Sequence, residues 1–581
     1  MEERGNWTSR RAFILAAIGS AIGLGNIWRF PFKCYENGGG AFLFAYLIAL
    51  ISAGIPLLIM ELSLGHRFKL SAPLAFANIK KKFEWIGWWA VGVGFVIVTY
   101  YAVIMAWGLN YTVFSLTKGW GQETSKFFYE DFLGLTDGPL TLGGIRFPIL
   151  IALVISWVLI VAAIWKGAKT VSKVVYATVF LPWLILIIFV IRGVTLPGSM
   201  DGLTFYLQPH FGKLLDPSVW VAAYGQIFYS LSLGFGIMIA YASFLPKDSD
   251  IINNSYIIAL SNSATAYIGG FAVFGALGYY AQLIEKPIEE VLKGGPGLAF
   301  VTYPTIINNL PFGNIFGLLF FIMLLTLAVD SAFSLVEAVS SSLRDNFGWT
   351  HKKSNILVAL VSLGCGVIFT TGAGLYWLDI VDKWIGVFGL VIVILFETIV
   401  LAWFYRINRF RKYANLYSDI KIGEWWNKLL KYLLPLVIGA LLINEALKLI
   451  LEGYEGYPQT ALLFGGWIVV IIVPILAIIF SKIGKKFSDI RSDIIKPKRP
   501  FRFSLGFKRL YLYFKVVLIL GIILILFIFL SNPIPNLKNY ITAAIAVYIF
   551  IALIGGALYF TVISMKDGDK RTAWGKKYIK E

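Results

Sequence analysis

The sequence predicts an all-α protein that crosses a membrane many times, in about fourteen spans, and three observations carry that expectation. Of 581 residues, 58% are hydrophobic and only 14% are charged, too much apolar surface for a soluble fold to hide. The apolar residues fall into runs of about 18 or more, long enough to cross the hydrocarbon of a bilayer as helices. Lysine and arginine gather between alternate runs, as expected of loops on the cytoplasmic side.

Taken in order, the runs lie at 12–32, 41–65, 86–116, 147–165, 171–192, 218–245, 254–283, 313–343, 355–373, 377–406, 428–452, 461–482, 512–531 and 539–565. We number them as spans one to fourteen. The basic segments His66–Glu84, Lys166–Lys173, Arg344–Lys353, Tyr405–Lys428 and Lys482–Arg509, with the tail from Lys566, all fall on one side if each run crosses once. The loop 117–145, with Glu123, Glu130, Asp131 and Asp137, falls on the other. This places both termini in the cytoplasm of a cell held by its plasma membrane. Met1 to Arg11 is polar and basic and leads to no small-residue cleavage site, so no cleavable signal peptide is expected.

The net charge of +19 is read as topogenic. No basic patch interleaved with aromatics marks a soluble surface, so the expected partner is the bilayer and not nucleic acid. Cys34 and Cys365 imply neither a disulfide framework nor a metal cluster. His66, His210 and His351 are scattered near span ends and read as surface residues.

Span one contains Gly19-Ser20-Ala21-Ile22-Gly23-Leu24-Gly25-Asn26 where a membrane helix should be best buried. Each glycine costs a helix interior about 1 kcal/mol relative to alanine. Broken backbone inside a membrane is tolerated only within protein or beside a polar cavity. The break therefore predicts carbonyls that hold something, most simply a cation. Span six carries a second interruption, Tyr229-Ser230-Leu231-Ser232-Leu233-Gly234-Phe235-Gly236. It opens a second group of five spans as the first opens the first group. Interrupted spans at corresponding positions of two halves mark the binding site of inverted-repeat transporters. The organisation expected is a first repeat over 1–192, a second over 218–406, spans eleven and twelve over 428–482, and two extra spans over 512–565.

Longer motifs sharpen this reading. Asn6-Trp7-Thr8-Ser9-Arg10, Gly23-Leu24-Gly25-Asn26-Ile27-Trp28-Arg29-Phe30-Pro31 and Glu36-Asn37-Gly38-Gly39-Gly40-Ala41-Phe42 appear in that order. Gly54-Ile55-Pro56 with Glu61, Gln226-Ile227-Phe228 with Ser232-Leu233-Gly234-Phe235-Gly236, and Gly295-Pro296-Gly297-Leu298-Ala299-Phe300 follow. Over about residues 5–480 the chain closely resembles the neurotransmitter:sodium symporter family. The resemblance implies a five-plus-five inverted-repeat fold with discontinuous spans one and six, and two bound sodium ions. A first sodium would take the Ala21 carbonyl and the side chains of Asn26, Ser230 and Asn262; the bland alternative for the asparagines is helix-to-helix hydrogen bonding. A second would take carbonyls of Gly19, Ile22 and Leu327 with the side chains of Asp330 and Ser331. Asp330 lies deep in an apolar run, where a carboxylate is expensive and by default functional. A salt bridge is the structural alternative, but no lysine or arginine lies at comparable depth.

The resemblance also implies a substrate pocket. Gly23 stands where family members that carry biogenic amines have an aspartate, and its lack of a side chain is expected to leave room for a substrate carboxylate. Tyr101 would hydrogen-bond that carboxylate, with Ala21, Gly25 and Ser230 beside it. Ile97, Tyr229, Ser232, Phe235, Ser331 and Leu335 would wall the side-chain pocket, the alternative for the apolar ones being core packing. The substrate expected is a neutral amino acid of medium size. Arg29 and Asp382 match the family's outer gate, and Arg4 and Asp345 its inner gate with Trp7 as a plug; simple topogenic charge is the alternative for Arg4.

Three positions depart from the family pattern. Phe244 replaces a tyrosine at the inner end of span six, Ser172 replaces a glycine ten residues before Pro182, and Ala266 replaces the serine or acid that distinguishes chloride-dependent from chloride-independent members. Tyr46, Gln226, Ser230 and Asn262 keep the other chloride positions, so the sequence leaves chloride dependence open. The function expected is sodium-coupled import by alternating access. The competing readings are a non-transporting sensor on the same fold and a cation channel. No nucleophile–base pair, metal cluster or phosphate loop suggests an enzyme.

Overall fold

A computed structural model describes residues 7–165, 167–291 and 295–484. Arg4 and spans thirteen and fourteen lie outside the described residues. Within them the protein is all-helical, and nine helices are long and apolar enough to cross a bilayer, or ten if one bent pair counts as a span. That bent pair is span one, Arg10–Ala21 followed by Gly25–Glu36, with axes 49° apart. Two further expected spans also form. Span four is the shorter helix Phe147–Ala163, and span six is interrupted between Pro217–Ser230 and Ile237–Ser243.

Local chemistry sets the ends of these helices. Ser9 caps span one by accepting a hydrogen bond from the Ala12 amide at 3.1 Å. Asp216 caps span six, with Pro217 at the first helical position, where its missing N–H costs nothing. Span five, within Ala168–Val194, contains Pro182, which leaves the carbonyl of Thr178 without its usual helical donor.

Span one lies at the centre, with every residue from Ala12 to Ala21 buried. Span two, ending in Ile55–Phe68, crosses the inner half of span six so closely that a Cβ on Gly65 would stand 2.0 Å from the Ile239 carbonyl. The long helices Glu84–Phe114 and Gly313–Phe347, spans three and eight, complete the inner bundle. Spans five, eleven and twelve turn Leu184, Ile187, Ile443, Ile450 and Ile471 outward as large exposed apolar side chains. Such faces suit lipid, because a helix pairs most of its backbone groups within itself.

Several connections that read as loops are helical: Ala72–Ile79, Ser199–Leu207, Leu298–Asn308 and Asn408–Tyr417. Each is shorter than a span, and tertiary contact rather than length stabilises it. Gly202, for instance, lets Ser199–Leu207 lie against span seven, where a Cβ would meet the Phe274 carbonyl at 1.8 Å.

Candidate functional site

Both helix breaks face one small cavity at the centre of the bundle. Counted as space for the centres of water molecules it holds about 40 Å³. Ala21, Gly23, Gly25 and Asn26 line it from span one, Ile97 and Tyr101 from span three, and Ser331 and Leu335 from span eight. Span six adds Tyr229, Ser230, Ser232 and Phe235. Every residue expected to contact substrate therefore borders the same space, joined by Ser20, Ile237 and Ser334, which the sequence did not single out.

Gly23 borders the cavity and lies close to two of its hydroxyls. A Cβ there would stand 2.5 Å from the Ser331 hydroxyl and 3.0 Å from the Tyr101 hydroxyl. The space beside this glycine is already taken by two protein hydroxyls, and its missing side chain serves their close approach. Tyr101 also accepts a hydrogen bond from the Leu24 amide at 3.3 Å, so it secures one of the free N–H groups that begin the outer half of span one.

A cluster of amide and hydroxyl groups adjoins the cavity. Asn26 donates from Nδ2 to the Asn262 side-chain oxygen at 2.9 Å and to its carbonyl at 3.2 Å, and its own Oδ1 accepts from the Gly23 amide at 3.1 Å. Asn262 donates in turn to the Ser230 hydroxyl at 2.8 Å. The structure thus brings Asn26, Ser230 and Asn262 together, with Ala21 bordering the same cavity. All offer neutral oxygen atoms, the donor type a hard monovalent or divalent cation prefers. The hydrogen bonds between the asparagines also realise the bland alternative, and the two roles use the same atoms.

On the other side of span one stands Asp330, 1% exposed. Its Oδ1 accepts a hydrogen bond from the Thr178 hydroxyl of span five at 2.6 Å. Its Oδ2 is buried with no hydrogen-bond partner among the described residues. That oxygen is aimed at the first break, since a Cβ on Gly19 would lie 2.4 Å from it. Leaving a charged oxygen unpaired in an apolar interior is costly. A cation held between Asp330 and the open carbonyls of the break would remove that cost, so the donor set fits one. Ser331, next in sequence, donates to the Ser20 carbonyl at 3.3 Å, and Ser232 donates to the same carbonyl at 3.1 Å. Ser20 thereby ties both breaks and span eight into one network.

Above the cavity opens a vestibule of about 950 Å³, lined in part by Arg29, Tyr100, Tyr229, Asp379 and Asp382. Arg29 and Asp382 share this vestibule but form no direct ion pair. The Arg29 guanidinium lies 4.2 Å from the centre of the Tyr229 ring, and Asp382 accepts from the Tyr100 hydroxyl at 2.6 Å. Below, Trp7 is buried, donates from its indole to the Tyr241 carbonyl at 3.0 Å and from its amide to the Phe244 carbonyl at 3.4 Å. Asp345 accepts from the Ser71 amide at 2.8 Å. Phe244 lacks the expected hydroxyl, yet its backbone takes part in holding Trp7.

Two other departures have visible consequences. Ser172 turns its hydroxyl back to the Ala168 carbonyl at 2.5 Å, a contact that loosens a helix without needing glycine. Near Ala266, the Tyr46 hydroxyl lies 3.3 Å from that of Ser263, and Gln226 donates to the Gly25 carbonyl at 3.2 Å.

Thr178, missed in the sequence, and Glu61, named there only as part of a motif, matter most among the remaining residues. Glu61 of span two accepts from the Gly234 amide at 2.7 Å and so holds the second break open. A buried acid inside the motif that carries the resemblance was the available signal. For Thr178 the signal was weaker, a hydroxyl one turn before a proline.

A multi-pass helical protein with two broken spans meeting at one buried cavity is a membrane transporter in its architecture, and its comparisons agree. The family model described as the sodium:neurotransmitter symporter family matches residues 4–125 and 121–486. An uncharacterized sodium-dependent transporter of Methanocaldococcus jannaschii is 41% identical over 494 residues, covering 84% of this chain and 99% of the relative. The sodium- and chloride-dependent GABA transporters 2 of Rattus norvegicus and Homo sapiens are each 35% identical over 468 residues, covering 74% of this chain and 77% of theirs. The chain belongs to the sodium:neurotransmitter symporter family and is a sodium-dependent secondary transporter, not an enzyme. Membership implies the inverted-repeat transporter fold.

Proposed function

We propose that the protein imports a neutral amino acid of medium size together with sodium, by alternating access between the two inverted repeats 1–192 and 218–406. The observation that carries this reading is the single cavity lined by both helix breaks, with Tyr101 and the Asn26–Ser230–Asn262 cluster on its border. A first sodium held by Ala21, Asn26, Ser230 and Asn262 would share that border with a substrate carboxylate. Ion and amino acid then favour each other's binding, and the coupling is reciprocal. The second sodium belongs with Gly19, Ile22, Leu327, Asp330 and Ser331, where the unpaired Asp330 oxygen calls for positive charge. Two relatives are named for GABA, which has both a carboxylate and an amine. A cavity of about 40 Å³ must expand for any amino acid, and Ile97, Phe235 and Leu335 limit that expansion.

Binding of sodium orders the breaks; substrate completes the first shell. Arg29 and Asp382 then close the vestibule, and Trp7 with Asp345 and Arg4 releases the inner side. With both termini cytoplasmic, each sodium moved inward across 100 mV contributes about 2.3 kcal/mol, and two with a zwitterion about twice that. Chloride dependence follows the relatives' names only if the hydroxyls of Tyr46, Ser230 and Ser263 compensate for Ala266.

The test is uptake by purified protein in liposomes under an inward sodium gradient, screened over the common amino acids with and without chloride. Sodium-dependent uptake of a neutral amino acid supports the reading, and its absence for every amino acid overturns it. Binding without flux would identify a sensor, and sodium current without substrate a channel.

A further inference from the structure

One wall of the central cavity is made of serines whose hydrogen bonds can be counted. Ser20 borders the cavity from the inner half of span one, Ser232 from the second break and Ser334 from span eight, and all three are buried. A hydroxyl has one proton to donate and lone pairs with which to accept, whereas a backbone carbonyl only accepts. Ser232 therefore spends its proton on the Ser20 carbonyl at 3.1 Å, and Ser334 spends its own on the Ser331 carbonyl at 2.8 Å. The Ser20 hydroxyl has two neighbours, Ser334 at 2.8 Å and Ser232 at 3.3 Å, and its proton goes to the nearer. Each of the three protons is thus committed within the protein, and the capacity left over is lone pairs. This wall accepts hydrogen bonds and has none to give.

Ser232 adds a second observation. Its φ of 54° is left-handed, a conformation disfavoured for any residue with a side chain and free for glycine. Glycine fills the next two left-handed positions of the same break, Gly234 and Gly236. At Ser232 the chain instead keeps a hydroxyl in the cavity wall against that conformational cost. Around the serines stand Ile97, Phe235, Ile237 and Leu335, and no charged side chain lines the cavity among the described residues. The surroundings suit a neutral side chain with a single polar group.

We propose that Ser20 and Ser232 read the side chain of the substrate, and that the substrate is an amino acid whose side chain carries a hydroxyl, of about the size of threonine. Its carboxylate lies at the Asn26 end of the cavity, and its side-chain O–H donates to the oxygens of Ser20 and Ser232. Ser334 is a positioning residue: by taking the Ser20 proton it leaves Ser20 an acceptor. An acidic side chain brings only lone pairs to this wall and is rejected. An aliphatic side chain of the same shape drives water from these oxygens and offers no bond in return.

This inference rests on the proposed sodium-coupled import of an amino acid, and the experiment separates the two. Threonine and valine share a shape and differ by the hydroxyl. Their apparent affinities are measured in sodium-dependent uptake by the full chain in liposomes. The unmodified protein is expected to prefer threonine about tenfold or more, because a site built to bond a hydroxyl rejects the analogue that lacks it. Ser232→Gly removes one acceptor and suits the left-handed backbone, so the fold is kept. The preference is expected to fall to about twofold, with affinity lost for threonine and retained for valine. Ser20→Ala is expected to do the same. That split is a readout that a merely structural role would not move. If no amino acid is taken up with sodium, the proposed function itself fails. If uptake proceeds but valine matches threonine, or only amino acids without a side-chain hydroxyl are carried, this inference alone is refuted. The serines then serve backbone ties or the ammonium that every amino acid has. Equal losses for threonine and valine in the two variants refute it as well.

Discussion

The two helix breaks meet at one cavity, but the backbone opens in different ways. In span one the chain leaves the helix at Ile22 in an extended conformation, with φ −83° and ψ 97°. Its glycines serve space: Gly19 admits Asp330, and Gly23 admits Ser331 and Tyr101. In span six the chain turns through left-handed conformations at Ser232, Gly234 and Gly236, with φ of 54°, 74° and 72°. There Gly234 and Gly236 serve conformation, and Glu61 accepts from the buried Gly234 amide. A single glycine-rich pattern thus hides two physical requirements. One break is shaped by what must come close to it, and the other by how the backbone must turn. The first break is set by neighbouring side chains, whereas the second is set by its own backbone.

The largest expected effect breaks that comparison from the side of span one. Gly19→Ala places a methyl group against Asp330 Oδ2 and displaces the carboxylate. The sodium-induced thermal shift is expected to vanish, corresponding to a loss of sodium affinity of at least about tenfold. Stability without sodium should also fall, by about 1–3 kcal/mol, because the methyl crowds Asp330 and Val179. Gly236→Ala is the counterpart in span six. A left-handed conformation costs an alanine about 1–2 kcal/mol, so the melting temperature should fall by similar amounts with and without sodium. If the two variants show the same sodium dependence, the distinction between the breaks is wrong. Glu61→Ala tests the scaffold from outside. It leaves the buried Gly234 amide unpaired at a cost of about 1–3 kcal/mol, whereas Glu61→Gln keeps an acceptor and should retain most of the stability.

Tyr101→Phe should act more narrowly. It removes the hydroxyl that receives the Leu24 amide and borders the cavity, so substrate affinity is expected to fall about tenfold. The sodium-induced shift without substrate should be nearly unchanged, and a parallel loss of both would show that Tyr101 organises the break and not the substrate.

How much of this was legible in the sequence depended on the range of the interaction. The spans follow from long apolar runs, and both breaks from glycine in places where helices should be best buried. The grouping of Asn26, Ser230 and Asn262 followed from resemblance, because the asparagines lie 236 residues apart and no local pattern joins them. Thr178 was missed because one hydroxyl in an apolar run is ordinary; only the proximity of Asp330 gives it meaning. The neighbours of Gly23 were hidden for a related reason. A glycine announces that a side chain is absent, but only the fold says what fills the space. The short helices Ala72–Ile79 and Ser199–Leu207 escaped notice because packing, not periodicity, supports them.

The smallest expected effect lies above the cavity, at the proposed outer gate of Arg29 and Asp382. Arg29 belongs to the outer half of span one and rests on the ring of Tyr229, which belongs to the outer half of span six. Asp382 of span ten is held by the Tyr100 hydroxyl instead of by Arg29. In the proposed closure Asp382 exchanges a neutral partner for a charged one within the vestibule. The attraction of the new pair is offset by desolvation of two partly buried charges, so the exchange is nearly balanced and easily tipped. Tyr100→Phe removes the competitor and should favour the Arg29–Asp382 pair. The expected result is a rise in apparent substrate affinity of about two- to fivefold, with slower release toward the vestibule. Asp382→Asn removes the charge that either arrangement uses and should weaken affinity instead. Opposite signs in these two variants would show that Tyr100 competes with Arg29 for the same carboxylate; a loss of affinity in both would mean that Tyr100 supports the closed gate.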